Sequence, residues 1–165
     1  MKKEKFYSLQ VAGLQRKLPI VSVAPNLAIA SFVILGDSEL VIAAAQELAK
    51  KLPEADYFIT AEAKGIPLIQ ELCHVMDKKR YFVARKSVKP YMQHPLTSEV
   101  VSITTQKKQL LCLDAEESKV ICGKKIIIVD DVISTGESLK AMRGLVELAG
   151  GNIVASAAIL AEGEA

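Results

Sequence analysis

The segment Lys124–Ser138, "KKIIIVDDVISTGES", constrains this chain more than any other. Ile126 to Val129 form an apolar, β-branched run with no polar alternation. Such a run fits a strand covered on both faces, which calls for layers of chain on either side of a mostly parallel sheet. Asp130 and Asp131 close the run. Adjacent carboxylates at the end of a buried strand repel each other and lose solvation, so their presence needs a reason beyond folding.

In sheets of this kind, ligands sit beyond the carboxyl ends of the strands. The turn Ser134–Ser138 follows at once and opens a predicted helix, "ESLKAMRGLVELAGG", which Gly150 and Gly151 close. The free N–H groups and dipole at a helix start favour an anion. Gly136 lets the backbone approach closely, and Ser134, Thr135 and Ser138 add hydroxyl donors. Carboxylates that accept from hydroxyls, beside a cup for a phosphate, suit a sugar phosphate. The plainer alternative is an ordinary capped helix after a strand, with Asp131 assisting the cap.

The rest of the chain agrees with an α/β class. After an irregular, proline-punctuated opening, "GDSELVIAAAQELAKKL" has apolar residues at helical spacing, with Asp37 or Ser38 as N-cap. "ADYFITAEAKG" is a strand running into a turn. "IPLIQELCHVM" is a helix with Pro67 in its first turn, and "RYFVARK" a strand with a basic end. A polar span from Ser87 to Thr105 is long enough to be a lid or disordered. "QLLCL" is a strand followed by a turn region, and "NIVASAAIL" is the last strand. The expected fold is a mostly parallel twisted sheet flanked by helices, one domain over residues 1–165.

Composition excludes several classes. Hydrophobic residues make up 50% and charged residues 24%, the profile of a folded globular chain. The net charge of +2 gives no case for nucleic acid. "MKKEKFYSLQ" has no apolar stretch of a secretory signal, and no apolar run reaches the roughly 18 residues that span a bilayer. A cytoplasmic protein with no membrane partner is expected. Cys73, Cys112 and Cys122 lack metal-ligand spacing and are expected as buried thiols. "AEAKG" repeats the strand-to-helix anion arrangement with a cation, Lys64, in it. Lys64 is otherwise a solvated loop lysine, and Arg85 an ion-pair partner. His74 and His94 are expected as bystanders.

"IIIVDDVISTGES" resembles the motif by which type I phosphoribosyltransferases bind phosphoribosyl diphosphate (PRPP). "TAEAKGIP" and "FVARKS" resemble the pyrophosphate loop and the following strand of the adenine and xanthine phosphoribosyltransferases. The resemblance covers roughly residues 40 to 163. It implies the type I phosphoribosyltransferase fold, with residues 1–36 as a hood over the base and 37–165 as the PRPP-binding core. Asp130 and Asp131 would contact the ribose hydroxyls, directly or through Mg²⁺. Ser134, Thr135, Gly136, Glu137 and Ser138 would cradle the 5′-phosphate, with the Glu137 side chain turned to solvent. Glu62, Ala63, Lys64 and Gly65 would form the pyrophosphate loop, with Arg85, Lys86 and Lys89 adding positive charge. Asp130, Asp131 and Arg85 are the expected catalytic residues. Tyr91 and His94 belong to a span that closes over the reaction centre in the family.

The implied reaction displaces pyrophosphate from C1 of PRPP by a purine nitrogen, through an oxocarbenium-like state. Mg²⁺ would come with PRPP and take its ligands largely from substrate oxygens, with no dedicated protein cluster. A homodimer is implied as well. "SITTQKKQ" stands where adenine-specific members carry a Glu-Tyr pair, and it looks closer to the xanthine branch. "SFVILGD", however, lacks the asparagine of that branch. Adenine is the favoured acceptor, read by backbone groups around Ala24 to Phe32. Xanthine or another base is the alternative, as is a non-catalytic PRPP-sensing regulator on the same fold.

Overall fold

The computed structural model describes residues 5–101 and 108–162. β1 (Phe6–Val11) and β2 (Leu14–Ala24) form an antiparallel hairpin. Its turn residues Ala12 and Gly13 have φ of 51° and 76°, the primed-turn backbone that matches strand twist. β3 (Leu27–Ala30) returns antiparallel along β2 to complete a three-stranded sheet. The opening is therefore a regular meander and not the irregular segment expected. Its first turn is Ala-Gly, without the Asn-Gly or Asp-Gly signal of such hairpins. Residues 19–29 are exposed throughout, so no buried face imposes an alternating pattern.

α1 (Ser38–Ala49) starts at Asp37, whose side chain accepts from the Leu40 N–H at 3.1 Å. β4 (Tyr57–Ala61), α2 (Ile66–Val75) with Pro67 in its first turn, and β5 (Tyr81–Ala84) follow. β6 (Leu96–Val101) and β7 (Lys108–Leu113) pair as a separate antiparallel ribbon. α3 (Ala115–Ile121), β8 (Lys125–Ile133), α4 (Glu137–Leu148) and β9 (Asn152–Ala161) complete the chain. The central sheet has the order β5-β4-β8-β9, and every neighbouring pair is parallel.

β8 explains the unbroken apolar run. Ile127 and Val129 belong to a core built with α1, α2 and the meander, where Leu18, Phe32, Ile34 and Leu40 are buried. Ile126 and Ile128 belong to a second core, with Ala141, Met142, Leu145 and Val146 of α4 and Leu111 and Leu113 of β7. The period of two is present, but both faces are covered, so both sets are apolar.

Three expectations are corrected. The span from Ser87 to Thr105 is not wholly a loop, because residues 96–101 are strand β6; residues 102–105 lie outside the described residues. "LTSE" hides a strand because one side of the ribbon takes polar residues, although Ser98 is buried against Gly144 of α4. The turn region after β7 holds α3, started by Asp114, whose N–H donates to the Glu117 carboxylate at 3.2 Å. Cys73 and Cys112 are buried, but Cys122 is exposed; all are free thiols. Burial pushes the Cys73 thiol up to about 11, which suits packing and not reactivity. Among the described residues, no helix is long and apolar enough to cross a membrane.

Candidate active site

β8, an inner strand of the sheet, carries the two acids near its carboxyl end, with Val132 and Ile133 still paired to β9 beyond them. Asp131 is buried, with 3% of its surface exposed, and its N–H donates to Asp130 Oδ1 at 2.8 Å. Asp131 Oδ2 is fully enclosed and accepts no directed hydrogen bond. Its charge partner is Lys64 Nζ at 3.2 Å. Burial pushes the Asp130 carboxyl up to about 6, the side chain and charge of Asp131 act in the same direction, and the Asp131 N–H bond opposes them. Lys64 opposes that shift.

Two residues after the acids, the turn 134–136 delivers the chain from β8 to α4. Gly136 is the N-cap residue in the left-handed region, φ 76°, and no side chain caps the helix. Gly136 itself offers no side chain to the first N–H groups of α4, so the cap leaves room beside them, as an anion site requires. A small cavity of about 30 Å³ lies against this turn, lined by Asp130, Val132, Ile133, Ser134, Thr135, Gly136, Ser138 and Leu139. Glu137 lines neither it nor the larger cavity and is half-buried in the first turn of the helix.

The second strand-to-helix turn stands next to the first, since β4 pairs with β8. Glu62, Ala63 and Lys64 connect β4 to Gly65 at the head of α2, and the Glu62–Ala63 peptide bond is cis. A Cβ on Gly65 would stand 2.1 Å from Thr60 Oγ1, so the loop is seated directly on the strand. Glu62 does not present its carboxylate to an incoming anion. It accepts from the Lys86 N–H at 3.0 Å and lies 3.5 Å from Arg85 Nη1 and 3.7 Å from Lys89 Nζ. The Lys86 bond, together with the charges of Lys89 and Arg85, holds its carboxyl below the usual range.

A cavity of about 600 Å³ joins these parts. Asp130, Asp131, Ser134 and Ser138 line it from β8 and α4, and Glu62, Ala63, Lys64 and Lys86 from the second turn. Ile29 to Val33 form its opposite wall, with Val132, Leu111 and Glu162 also present. The structure thus brings together most of the residues expected from the sequence. Arg85 and Lys89 stand outside the lining, gathered behind Glu62. Tyr91 and His94 are exposed and also lie outside it. Leu111 and Glu162 went unnoticed in the sequence, where each sits in an ordinary context. Among the described residues, no group of three His, Cys, Asp or Glu side chains could hold a metal. The enclosed Asp131 Oδ2 is nonetheless a hard oxygen donor suited to a hydrated Mg²⁺ that brings its other ligands with it.

A parallel sheet with acids near its carboxyl edge, set beside two strand-to-helix turns, defines an α/β protein whose cavity suits an anionic, hydroxyl-bearing ligand. The comparison with known families narrows this. The model of the phosphoribosyl transferase domain matches residues 34–165, and the chain belongs to that family. An adenine phosphoribosyltransferase of Fervidobacterium nodosum is 32% identical over 116 residues, 70% of this chain and 64% of that protein. A xanthine phosphoribosyltransferase of Chloroflexus aurantiacus is 31% identical over 127 residues, 75% of this chain and 58% of that protein. The chain therefore spans somewhat less than two thirds of either relative. The crystal structure of adenine phosphoribosyltransferase from Rhodothermus marinus superposes with a TM-score of 0.69 at 25% identity, covering 87% of this chain and 81% of that one.

Proposed function

We propose that the protein transfers the phosphoribosyl group of PRPP to a purine base, with adenine preferred, releasing pyrophosphate. The observation that carries this reading is the enclosed Asp131 side chain, adjacent to Asp130 and 3.2 Å from Lys64 Nζ, between two strand-to-helix turns. Burying such a pair is costly unless a ligand uses it.

The 5′-phosphate is assigned to the backbone of residues 134–138 and the ribose hydroxyls to Asp130 and Asp131. The pyrophosphate is assigned to residues 62–65 with Lys64 and Lys86. Arg85 and Lys89 act at one remove: held by Glu62, they keep the potential of that loop positive. Positive charge on the leaving group and negative charge near the ribose both favour an oxocarbenium-like state. Mg²⁺ bound with PRPP would neutralise the leaving pyrophosphate, with Asp130 and Asp131 holding it through water or ribose oxygens. The base is assigned to the space between Ile29–Val33 and Val132. There, backbone carbonyl and N–H groups suit the amino donor and ring acceptors of adenine. Xanthine would leave carbonyls unpaired, at roughly 1–3 kcal/mol.

Adenine phosphoribosyltransferases are prominent among the relatives, but xanthine and hypoxanthine/guanine phosphoribosyltransferases match as well, so xanthine stands as the second reading. Incubation with Mg²⁺, PRPP and equal concentrations of purine bases tests both: AMP should accumulate before XMP, IMP or GMP. PRPP binding with no pyrophosphate released in the presence of any base would favour a non-catalytic PRPP-sensing regulator. We also propose a cytoplasmic homodimer. Val21, Val23, Leu27 and Ile29 are 44–56% exposed on the β2–β3 ribbon, an apolar surface suited to a second chain. Sedimentation tests that assembly.

A further inference from the structure

The wall Ile29–Val33 has no acid or base of its own, so its value to the site lies in where it stands. Its two ends are fixed differently. At one end Ala30 pairs with Ile20, and the Ser31 N–H donates to the Pro19 carbonyl at 2.9 Å. At the other, Phe32 and Ile34 enter the core beside Leu18, and the Asp37 N–H donates to the Ile34 carbonyl at 3.0 Å. Between those anchors, Val33 and Leu35 are about half exposed.

One side chain closes this segment into a loop. Arg16, in β2, reaches the N-cap of α1 with Nε 2.6 Å from Asp37 Oδ2 and Nη2 2.9 Å from Asp37 Oδ1. Nη2 also lies 2.7 Å from Glu39 Oε2. A bidentate fork fixes both distance and orientation, which a single point charge does not. Arg16 and Asp37 are 24% and 27% exposed, so the pair is only partly shielded from water and its geometry, not its burial, sets its role. Asp37 is immobile because its Oδ1 also caps α1 through the Leu40 N–H. The whole wall lies between the two clasped residues in the chain.

We infer that Arg16 is a positioning residue for the base: by clasping β2 to the start of α1 it sets how far the wall stands from Asp130 and Asp131. This rests on the phosphoribosyltransferase reading above. An exposed ion pair with no such role would change stability slightly and kinetics not at all.

The test compares Arg16→Gln, Arg16→Lys and Asp37→Asn with the unaltered protein. KM for the base is measured at saturating Mg²⁺-PRPP, PRPP affinity is measured separately by calorimetry, and amide exchange is followed across residues 29–36. Arg16→Gln should raise KM for the base by about 2- to 30-fold, the range of indirect coupling, and leave PRPP affinity unchanged. Arg16→Lys restores charge without the fork and should recover only part of the loss. Asp37→Asn retains a capping oxygen, should reproduce the effect, and should add nothing to it in the double variant. Exchange across 29–36 should quicken in Arg16→Gln while 130–138 is unaffected. An unmoved base KM, or base and PRPP weakening together, overturns the inference. If the unaltered protein transfers to no base, the functional reading has failed instead. Exchange then decides the clasp alone, and unchanged exchange across 29–36 refutes it.

Discussion

Lys64 Nζ lies 3.2 Å from Asp131 Oδ2, which ties the loop after β4 to the buried acid near the end of β8. This contact joins one strand-to-helix loop to the strand that leads into the other. A polyanionic ligand and the sugar hydroxyls would compete for its two ends, Lys64 with the pyrophosphate and Asp131 with the ribose. Lys64→Met should therefore weaken PRPP binding and slow turnover by about 10²-fold, the usual scale for a lost electrostatic contact in the transition state. Lys64 is half exposed, so the cost to stability should stay near ~1 kcal/mol. A melting point lowered far more, with turnover intact, would make the pair purely structural.

Asp130→Asn should lower turnover by about 10²-fold while leaving the melting temperature at pH 7 equal or higher. The substitution removes a charge that Asp131 repels and that burial disfavours. Full activity with a clearly lower melting point would assign Asp130 to folding.

The same carboxyl predicts a pH dependence with a definite sign. Its value is raised from 3.8 to about 6 in the folded protein, so the folded state holds this proton more tightly than the unfolded one. Its contribution to stability is thus greatest at low pH and is lost as pH rises through about 4 to 6. Calorimetric melts over that window should show a negative contribution to the pH slope that disappears in Asp130→Asn. Turnover, which uses the ionised form, should fall as pH drops through about 6. A slope unchanged in the variant would refute the assignment.

Much of this site was legible in the sequence, for reasons that can be named. The run Ile126–Val129, the paired acids and Gly136 are all local, and each has a direct structural meaning. The meander was not legible, because Ala12–Gly13 is an unusual hairpin turn and the strands around Ile20 to Ile29 have no buried face. Strand β6 was hidden by its polar residues. Arg85 was expected at the reaction centre from its place in "FVARKS". Its actual station behind Glu62 depends on a pairing 23 positions apart in the chain, which no local pattern reveals. The clasp of Arg16 on Asp37 is non-local in the same way.

Two glycines should fail for different reasons. Gly136→Ala meets no atom within 4 Å but forces a left-handed backbone on an L residue, at about 1–2 kcal/mol. It should loosen PRPP binding, and Gly136→Val should do so more strongly. Gly65→Ala keeps an ordinary backbone but drives its methyl onto Thr60 Oγ1, and overpacking of this kind costs about 1–3 kcal/mol. Thr60→Ala in the same chain should restore most of that loss, as thermal melts would show. No rescue would mean that the loop is seated by something else.

The division of β8 between two cores also sets what kinds of change this strand can absorb over time. Exchanging one aliphatic residue for another, such as Ile127→Val, alters a packing volume and is usually mild, at about 0.5–1.5 kcal/mol. Losing or gaining a single codon is a different event. If the acids and the turn after them keep their place, each side chain upstream of the change is handed to the opposite layer. If the strand keeps its place, the acids shift by about 3.3 Å relative to the loop after β4. The number of residues between Lys125 and Asp130 is therefore under tighter constraint than their identity. Length variation in this protein should be confined to the segments outside β8, such as the connection between β6 and β7.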